Sequence, residues 1–568
     1  MNLQSNKNYE VVIIGAGISG IIAAQRYLEA HPKCRLTILE KDLCVGGVFG
    51  KRRIYPGFWT QWSFGHAEFS DMAMERPPEE DIKHGCFKAK YTTEYLEKYV
   101  DEKLHNGSSL RDRIQFGMRV TLIEYDEGMW KLCCTDANNS PVTLLATKLM
   151  VANGQNSLPN MPNLPGKDDF GGVVMHSEDF GASNVLSLSQ NQNIAVIGAG
   201  KSSADMIYEA VKAGKAVTWI IRKEGCGAGF FAPIDLKTPY ESGGHAALTR
   251  IMAQLQPSLL NKEKCLSGFI NRTSLGMAIT KGVFSKLDSE IKEHANYTGR
   301  GNTKGFEGLE YDTGIFWQNG TGGALHHKDF FDLIAEKVTV YRGTVKKLGH
   351  RMVHLDDGSQ FPCDVVLCGT GWKVATEFFK PDLLLKLGLP YHKENEPKEV
   401  TEKWEGLALE ADKKVLTRFP LLADPPPHFH KDLKTTPYRL FRCIAPINID
   451  SIVFLNHLSA GSKLFAAEAQ AMWAVAYFDK NVSIPSIEDR EKDVATWNAW
   501  CRRRYLSNGE GGNFAAFDSV PYVDTLLEDV GATAHFKGSW WKDMFVPYRP
   551  SDLGQAWKEY LKKSGSRG

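Results

Sequence analysis

Two glycine-rich turns, each framed by an apolar strand and a helix-forming segment, constrain this chain more than anything else in it. The first lies in VVIIGAGISG, residues 11–20, and the second in NIAVIGAGKSSAD, residues 193–205. A short, continuous, β-branched run reads as a buried parallel strand. The glycines after it let the backbone turn tightly and approach a pyrophosphate, and the next helix aims its positive end at the phosphates. A chain with both units is expected to hold two nucleotides at once. The fold class that follows is α/β, with two Rossmann-like dinucleotide-binding domains.

In the first unit Gly15 makes the turn, Gly17 leaves room for phosphate and Gly20 lets the helix pack close to its strand. The helix is expected over Ile18–Glu29, stopped by His31-Pro32. A second strand, Arg35–Leu39, ends in Glu40, twenty residues beyond Gly20. At that spacing an acid accepts hydrogen bonds from a ribose. Ala16, Ser19 and Lys41 complete the expected contact set. Past Lys41 the chain runs into VGGVFG, where Gly46, Gly47 and Val48 bring the backbone back toward an extended cofactor. NAD alone does not need this second approach, so the site is read as one for FAD.

The second unit places Gly198, Gly200, Lys201, Ser202 and Ser203 around its turn. Ser203 stands where a third glycine is usual, which predicts slightly wider helix–strand packing. The helix should run to about Ala213, with Gly214 as a left-handed stop. The strand Ala216–Ile221 then ends in Arg222-Lys223. Glu40 closes the first unit with an acid; Arg222 closes the second with a base. An arginine there suits a 2′-phosphate, so the second nucleotide is read as NADPH rather than NADH.

Composition excludes more than it assigns. A net charge of +1 with 24% charged residues gives no footprint for nucleic acid or an anionic membrane surface. No run reaches about 18 apolar residues, so no membrane span is expected, and no secretory leader is read. The 11 cysteines include no Cys-x-x-Cys. They are read as reduced thiols of a cytoplasmic protein. His428-Phe429-His430 has alternate histidines but no third ligand nearby, so no metal is expected. Oligomeric state is not set by any of these features.

Between the two units lies FGGVVMHSEDF, with Phe170, Gly172, His176, Ser177 and Phe180 in the register F-x-G-x-x-x-H-S-x-x-F. This resembles the fingerprint of class B flavin monooxygenases, the flavin-containing monooxygenase family. VANGQNSLPNMPNLPG (151–166) and VVLCGTGWK (365–373) look like that family's crossovers between domains. GGVFGKRRIYPG (46–57), PYRLFRCIAP (437–446) and NHLSAGSKLFAAEAQAMWAVAYF (456–478) are similar to its fungal secondary-metabolite members. The resemblance implies that NADPH reduces FAD and that one atom of dioxygen enters a small hydrophobic organic substrate. It places His176 and Ser177 at the joint between cofactor domains, among the cofactor-binding residues; on its own chemistry His176 is read as a hydrogen-bonded structural histidine rather than a catalyst. It also has Lys201 and Ser202 holding NADP phosphates, and it makes Gln61 the candidate catalytic residue, in the segment where an asparagine lies near the flavin.

The chain departs from the pattern in three places. Phe49 stands where tryptophan is usual, Gln61 replaces the asparagine, and Phe180 stands where Baeyer–Villiger members carry tryptophan. A Baeyer–Villiger enzyme of the same fold stays open as an alternative. So do an NADPH–flavin reductase or oxidase without oxygen insertion and a non-enzymatic binder of the FAD fold.

The NADPH domain is expected to be inserted into the FAD domain. The parts are 1–165 and 365–480 for FAD, 166–364 for NADPH, and 481–568 as an aromatic-rich extension packed on the body. Residues 225–325 exceed what one crossover needs and read as a helical insertion, either a substrate lid or a packing elaboration. A hairpin is expected around Asp356-Asp357-Gly358, and a buried helix over Ser462–Asp479. Phe58-Trp59, Trp62, Phe64 and Phe230-Phe231 are candidates for an apolar pocket.

Overall fold

A computed structural model describes residues 7–565, apart from 236–237, 302–303, 319, 321 and 430–431. Two sheets carry the two fingerprints. In the first, Lys7–Ile14 pairs in parallel with Leu36–Leu39 on one side and Pro141–Val151 on the other. The register Ile14↔Leu39 and Ile14↔Val151 brings three strand ends level. Pro141–Val151 then continues antiparallel into Met129–Thr135 and Arg119–Asp126. Ile452–Phe454 returns some 300 residues later to pair with Leu149–Val151.

The second sheet is all parallel, in the order Val173–His176, Val365–Cys368, Asn193–Ile197, Ala216–Ile221, Val338–Arg342. Both faces of such a sheet are covered, which is why Val196, Ile220 and Val366 are buried. Here one expected boundary moves. Val365–Cys368 was assigned to the returning FAD part, yet it lies in the middle of the second sheet, between the His176 and Asn193 strands. The chain leaves this sheet only after Cys368. Periodicity marks a buried strand there but cannot say which sheet takes it.

The two fingerprint helices form as expected, at Ile18–Ala30 and Lys201–Lys212. Gly214 follows the second with φ 76°, the left-handed stop that glycine adopts without strain. The hairpin forms between Met352–Leu355 and Gln360–Pro362, with Val345–Gly349 as a third strand.

Residues 225–325 contain helices at Gly243–Ala247, Arg250–Leu255, Cys265–Arg272 and Ser274–Ala295. Parallel pairing of Phe231–Pro233 with Gly323–Leu325 draws the two ends of this insertion together at its base.

Lys463–Phe478 is buried along almost its whole length. It packs on the Ile18–Ala30 helix, and the contact includes an ion pair with both side chains 1% exposed: Arg26 Nη2 to Glu468 Oε1 at 2.5 Å. The C-terminal extension closes over the same helix. Trp557 donates its indole N–H to Glu29 (2.6 Å), and the Arg26 guanidinium lies 5.9 Å from the Trp557 ring centre.

Candidate functional site

One cavity of about 1070 Å³ opens between the two sheets and touches both fingerprints. From the first unit its wall takes Gly15, Gly17, Ser19, Glu40 and Lys41, and from the following loop Gly47 and Val48. From the second it takes Lys201 and Ser202, with Ser177 from the linking stretch. No separate chamber divides the two ends.

The first end is tightly built. A Cβ on Gly15 (φ 103°) would lie 2.6 Å from the Ala152 carbonyl oxygen, and one on Gly20 would lie 1.9 Å from the Gly15 oxygen. Gly17 and Gly47 face each other so closely that a Cβ on Gly47 would reach Gly17 Cα at 3.4 Å. Glu40 is 6% exposed; it accepts the Ala16 N–H (2.7 Å) and the Asp42 N–H (2.9 Å). Burial pushes its carboxyl up, against the pull of these two amides. Ala16 thus serves the site through its backbone, by fixing the acid.

The second end is built differently. Gly198 (φ 121°) would carry a Cβ 2.3 Å from the Gly369 oxygen, and Gly200 caps the helix in extended conformation. Ser203 is fully buried and donates to the Gly369 carbonyl (3.3 Å). A Cβ on Gly369 would lie 2.1 Å from Ser203 Oγ. The space for the serine therefore comes from a glycine on the return crossover. Lys201 is bound to Asp205 one turn on, and Asp205 also accepts the Tyr55 hydroxyl at 3.1 Å. Arg222 is exposed at its strand end, outside the cavity wall, with no ion pair among the described residues.

These residues fit two anionic nucleotides. Both fingerprint helices start without a side-chain cap and without an acid in the first turn. Their terminal N–H groups and positive dipole ends are thus left for other anions. Ser19 Oγ, in the first turn of one helix, is buried with no partner among the described residues. So is the indole N–H of Trp62, which borders the same cavity.

The linking stretch works as a joint. Phe170 is fully buried, and a Cβ on Gly172 would lie 2.4 Å from the Asp364 oxygen. His176 is 3% exposed and lies off the cavity wall. Its Nε2–H donates to the Gly371 carbonyl (2.9 Å), and its Nδ1 accepts the Glu178 N–H (3.2 Å). Burial lowers its pKa, so the ring stays neutral with both nitrogens bonded to protein. Across the joint Arg53 reaches Glu178 at 2.5 Å and lies 5.1 Å from the Trp372 ring centre.

Gln61 borders the cavity, but its amide is committed elsewhere. Oε1 accepts the Ala324 N–H (2.8 Å) and Nε2 donates to the Ala324 carbonyl (3.3 Å). It pins the base of the insertion to the Trp59–Ser63 strand. Of the candidate pocket aromatics, Phe58, Trp59 and Trp62 line the cavity, with Phe49 beside them. Phe49 lies 5.8 Å from Phe58 and 5.1 Å from Trp62 between ring centres. Phe64, Phe230 and Phe231 do not line it; Phe231 packs against Trp219 in the second core.

Sequence reasoning missed a polar wall made by two distant segments. Asn153 Oδ1 accepts from His457 Nε2 (2.9 Å), and Gln155 donates to the His457 carbonyl (2.9 Å). Lys463 Nζ donates to Gln155 Oε1 at 2.9 Å. Both segments belong to family-like stretches, but nothing in their spacing shows that they meet. Among the described residues no cluster of three or more His, Cys, Asp or Glu could hold a metal ion. The alternating pair His428 and His430 lies partly outside the described residues, at His430.

Fold and cavity together define a two-nucleotide oxidoreductase. A model of the pyridine nucleotide-disulphide oxidoreductase family matches residues 12–230. The FAD-dependent monooxygenase rstn6 of Aspergillus nomiae is 30% identical over 98% of this chain and 99% of its own length. FAD-dependent monooxygenase DEP4 of Alternaria brassicicola is 30% identical over 98% of this chain and 95% of its own. Cyclohexanone monooxygenase, in its open crystal structure, shares the fold at TM-score 0.58 and 15% identity, over 92% of this chain and 98% of that one. The chain belongs to the FAD-dependent monooxygenases, flavoproteins that work with FAD and NADPH. A small-molecule substrate and dioxygen follow from that membership. Among the described residues no helix is long and apolar enough to cross a membrane.

Proposed function

We propose that this monooxygenase oxygenates a hydrophobic small molecule of secondary metabolism, with FAD held at the first fingerprint and NADPH at the second. The observation that carries this reading is the single cavity that reaches both helix N-termini. Bound together, the two cofactors supply reducing electrons and oxygen activation, so that one oxygen atom enters the substrate and the other leaves as water. Everything else is the work of the chain.

Gly15, Gly17 and Gly47 keep backbone close to the first nucleotide, and Ser19 offers its unpartnered hydroxyl to a phosphate. Glu40, fixed by two amides, presents its remaining lone pairs to a ribose. Arg222 meets the 2′-phosphate of NADPH from the surface side, and Ser202 and the helix N-terminus meet the pyrophosphate. Lys201 acts through its pairing with Asp205 and Tyr55, which fastens the second helix to the flavin-side loop. His176 and Ser177 set the angle of the joint. Gln61 acts as a brace for the insertion, which supports its reading as a lid anchored at Ala324. The aromatic wall of Phe49, Phe58, Trp59 and Trp62 excludes water from the reacting region, and the buried Trp62 N–H, without a partner among the described residues, orients a substrate acceptor.

We read residues 1–165 and the segment from the return crossover to 480 as the FAD part, 166 to Cys368 as the NADPH part, and 481–568 as a brace on the FAD helix. All the cysteines are free thiols, which supports a cytoplasmic location. The test is a purified holoenzyme with bound FAD, assayed for NADPH oxidation against a panel of apolar metabolites. Substrate-dependent oxygen incorporation with little peroxide release is the expected result. NADPH oxidation that yields only hydrogen peroxide with every compound would defeat the oxygen-insertion reading.

A further inference from the structure

Lys463 is the first residue of the buried Lys463–Phe478 helix, and it faces the cavity from the side opposite the glycine turns in sequence. Its ammonium donates to Gln155 and makes no ion pair with a carboxylate among the described residues. Gln155 belongs to the crossover that touches the first glycine turn. A Cβ on Gly15 would lie 3.3 Å from Asn153 Cα, two residues before Gln155. The cation therefore stands at the end of the cavity built by the first fingerprint. Its position is fixed from behind, because Glu468 on the same helix is locked to Arg26 of the first fingerprint helix.

A cation without a counter-ion is unusual in such a wall, since a partly buried charge is normally paired. Of the other cations that line this cavity, Lys41 and Arg53 pair with Glu178 and Lys201 pairs with Asp205, while Arg119, which has no ion pair among the described residues, is exposed to solvent. Lys463 has only a neutral amide to hold. Its helix adds a positive dipole end and has no acid in its first turn. The corner is electropositive, and neither fingerprint accounts for it.

We infer that Lys463 balances the negative charge that enters this cavity when the flavin is reduced. This role rests on the functional reading above. A hydride carries two electrons and one proton, so its transfer from NADPH leaves NADP⁺ and adds one negative charge at the flavin. Lys463 gains and loses no atom in that step; it supplies the opposing charge. Burial alone pushes its pKa down to about 8, which keeps the ammonium form dominant at neutral pH and removable just above it. The groups packed around it do not titrate in that range. His457 is held neutral by burial, with a pKa near 3, and Glu468 is tied to Arg26. His66, Glu68 and Arg549 share a separate small cavity with Ser462, and burial pushes the His66 pKa down to about 4.

The experiment is an equilibrium reduction of the FAD-loaded enzyme against a reference dye, without substrate, from about pH 6.5 to 9.5. Three proteins are compared: wild type, Lys463→Met and Lys463→Arg. Loss of the charge should weaken the preference for reduced over oxidised flavin by roughly tenfold, which is about 30 mV toward negative for a two-electron couple. Wild type should show an inflection near pH 8, with the potential falling as the amine loses its proton. Lys463→Arg should keep the wild-type potential at neutral pH and lose the inflection.

An unchanged potential in Lys463→Met overturns the inference, including the case in which only the KM for substrate rises. An inflection that persists in Lys463→Arg overturns it as well. If Lys463→Met does not retain flavin, the wild-type and arginine titrations decide. A wild-type chain that never takes up FAD would instead refute the functional reading on which this rests.

Discussion

The two nucleotide ends share one cavity but are made in opposite ways. At the first fingerprint, proposed to hold FAD, the acid that ends the second strand is buried: Glu40 is 6% exposed and clamped by two backbone amides. At the second, proposed to hold NADPH, the base in the matching position, Arg222, stands in solvent without an ion pair among the described residues. The flavin-end helix is anchored from behind by a buried ion pair and by the C-terminal extension. The other helix is held through its half-buried Asp205, which accepts from Tyr55, and by Ser203 fitted against Gly369. A site whose groups are already buried gives up little water when its ligand enters, and it holds on to that ligand. One whose charge stays solvated exchanges its ligand readily. The difference matches a resident cofactor beside a consumed one.

The sharpest way to break this contrast is to uncouple the flavin end from its anchor. Glu468→Leu removes the one fully buried carboxylate partner of Arg26, which keeps only the part-exposed Glu29 and Asp71, and should cost about 3 kcal/mol in urea unfolding, the low end for a broken buried pair. Loss of FAD on dilution should accompany it. The double variant Arg26→Met/Glu468→Leu should recover most of the stability. A single variant as stable as wild type would remove the anchor from the account.

The second comparison is steric. Gly369→Ala forces a Cβ onto Ser203 and should cost about 1–3 kcal/mol, with weaker NADPH binding. Adding Ser203→Gly should restore both, because the two positions share one space. If the double variant is no better than the single, the serine does not occupy the room left by Gly369.

A smaller effect is expected at Arg222. Arg222→Ala should raise the KM for NADPH by roughly tenfold, the scale of one charge-assisted hydrogen bond, and barely move that for NADH. The gap should narrow in high salt, since the group is exposed. Equal changes with both nucleotides would exclude a 2′-phosphate contact.

The smallest signal is a pH slope. Burial lowers the His457 pKa from about 6.5 to about 3. A histidine kept neutral in the fold but free to charge when unfolded supports stability fully above its unfolded pKa. That support declines as pH falls from about 6.5 toward about 3. His457→Asn should flatten the corresponding part of a Tm-against-pH curve. An unchanged slope would show that His457 already charges in the native state.

The glycine turns, both helices and the acid at Glu40 were legible in the chain because each depends on residues within about thirty positions of one another. The Phe170–Phe180 stretch was legible as a pattern, and its His176 is buried with both ring nitrogens hydrogen-bonded to protein. Two details at the same scale were not. Lys201 looked free for phosphate, yet its partner Asp205 is one turn away, and only rotamer and burial reveal the pairing. Gln61 looked like a flavin-side amide, yet both its hydrogen-bonding groups go to Ala324, across the insertion.

What the sequence by itself determined is the pair of glycine turns between strand and helix and the opposite charges at the ends of the strands that follow. Turn geometry, helix starts and strand burial follow from short-range sterics and hydrogen bonding. What only the tertiary structure decided is the cavity wall: which sheet takes Val365–Cys368, which glycine makes room for Ser203, and that Lys463 meets Gln155 across some 300 residues. Such contacts arise from how whole layers pack, and packing is set by the sum of many apolar surfaces rather than by the residues that end up touching.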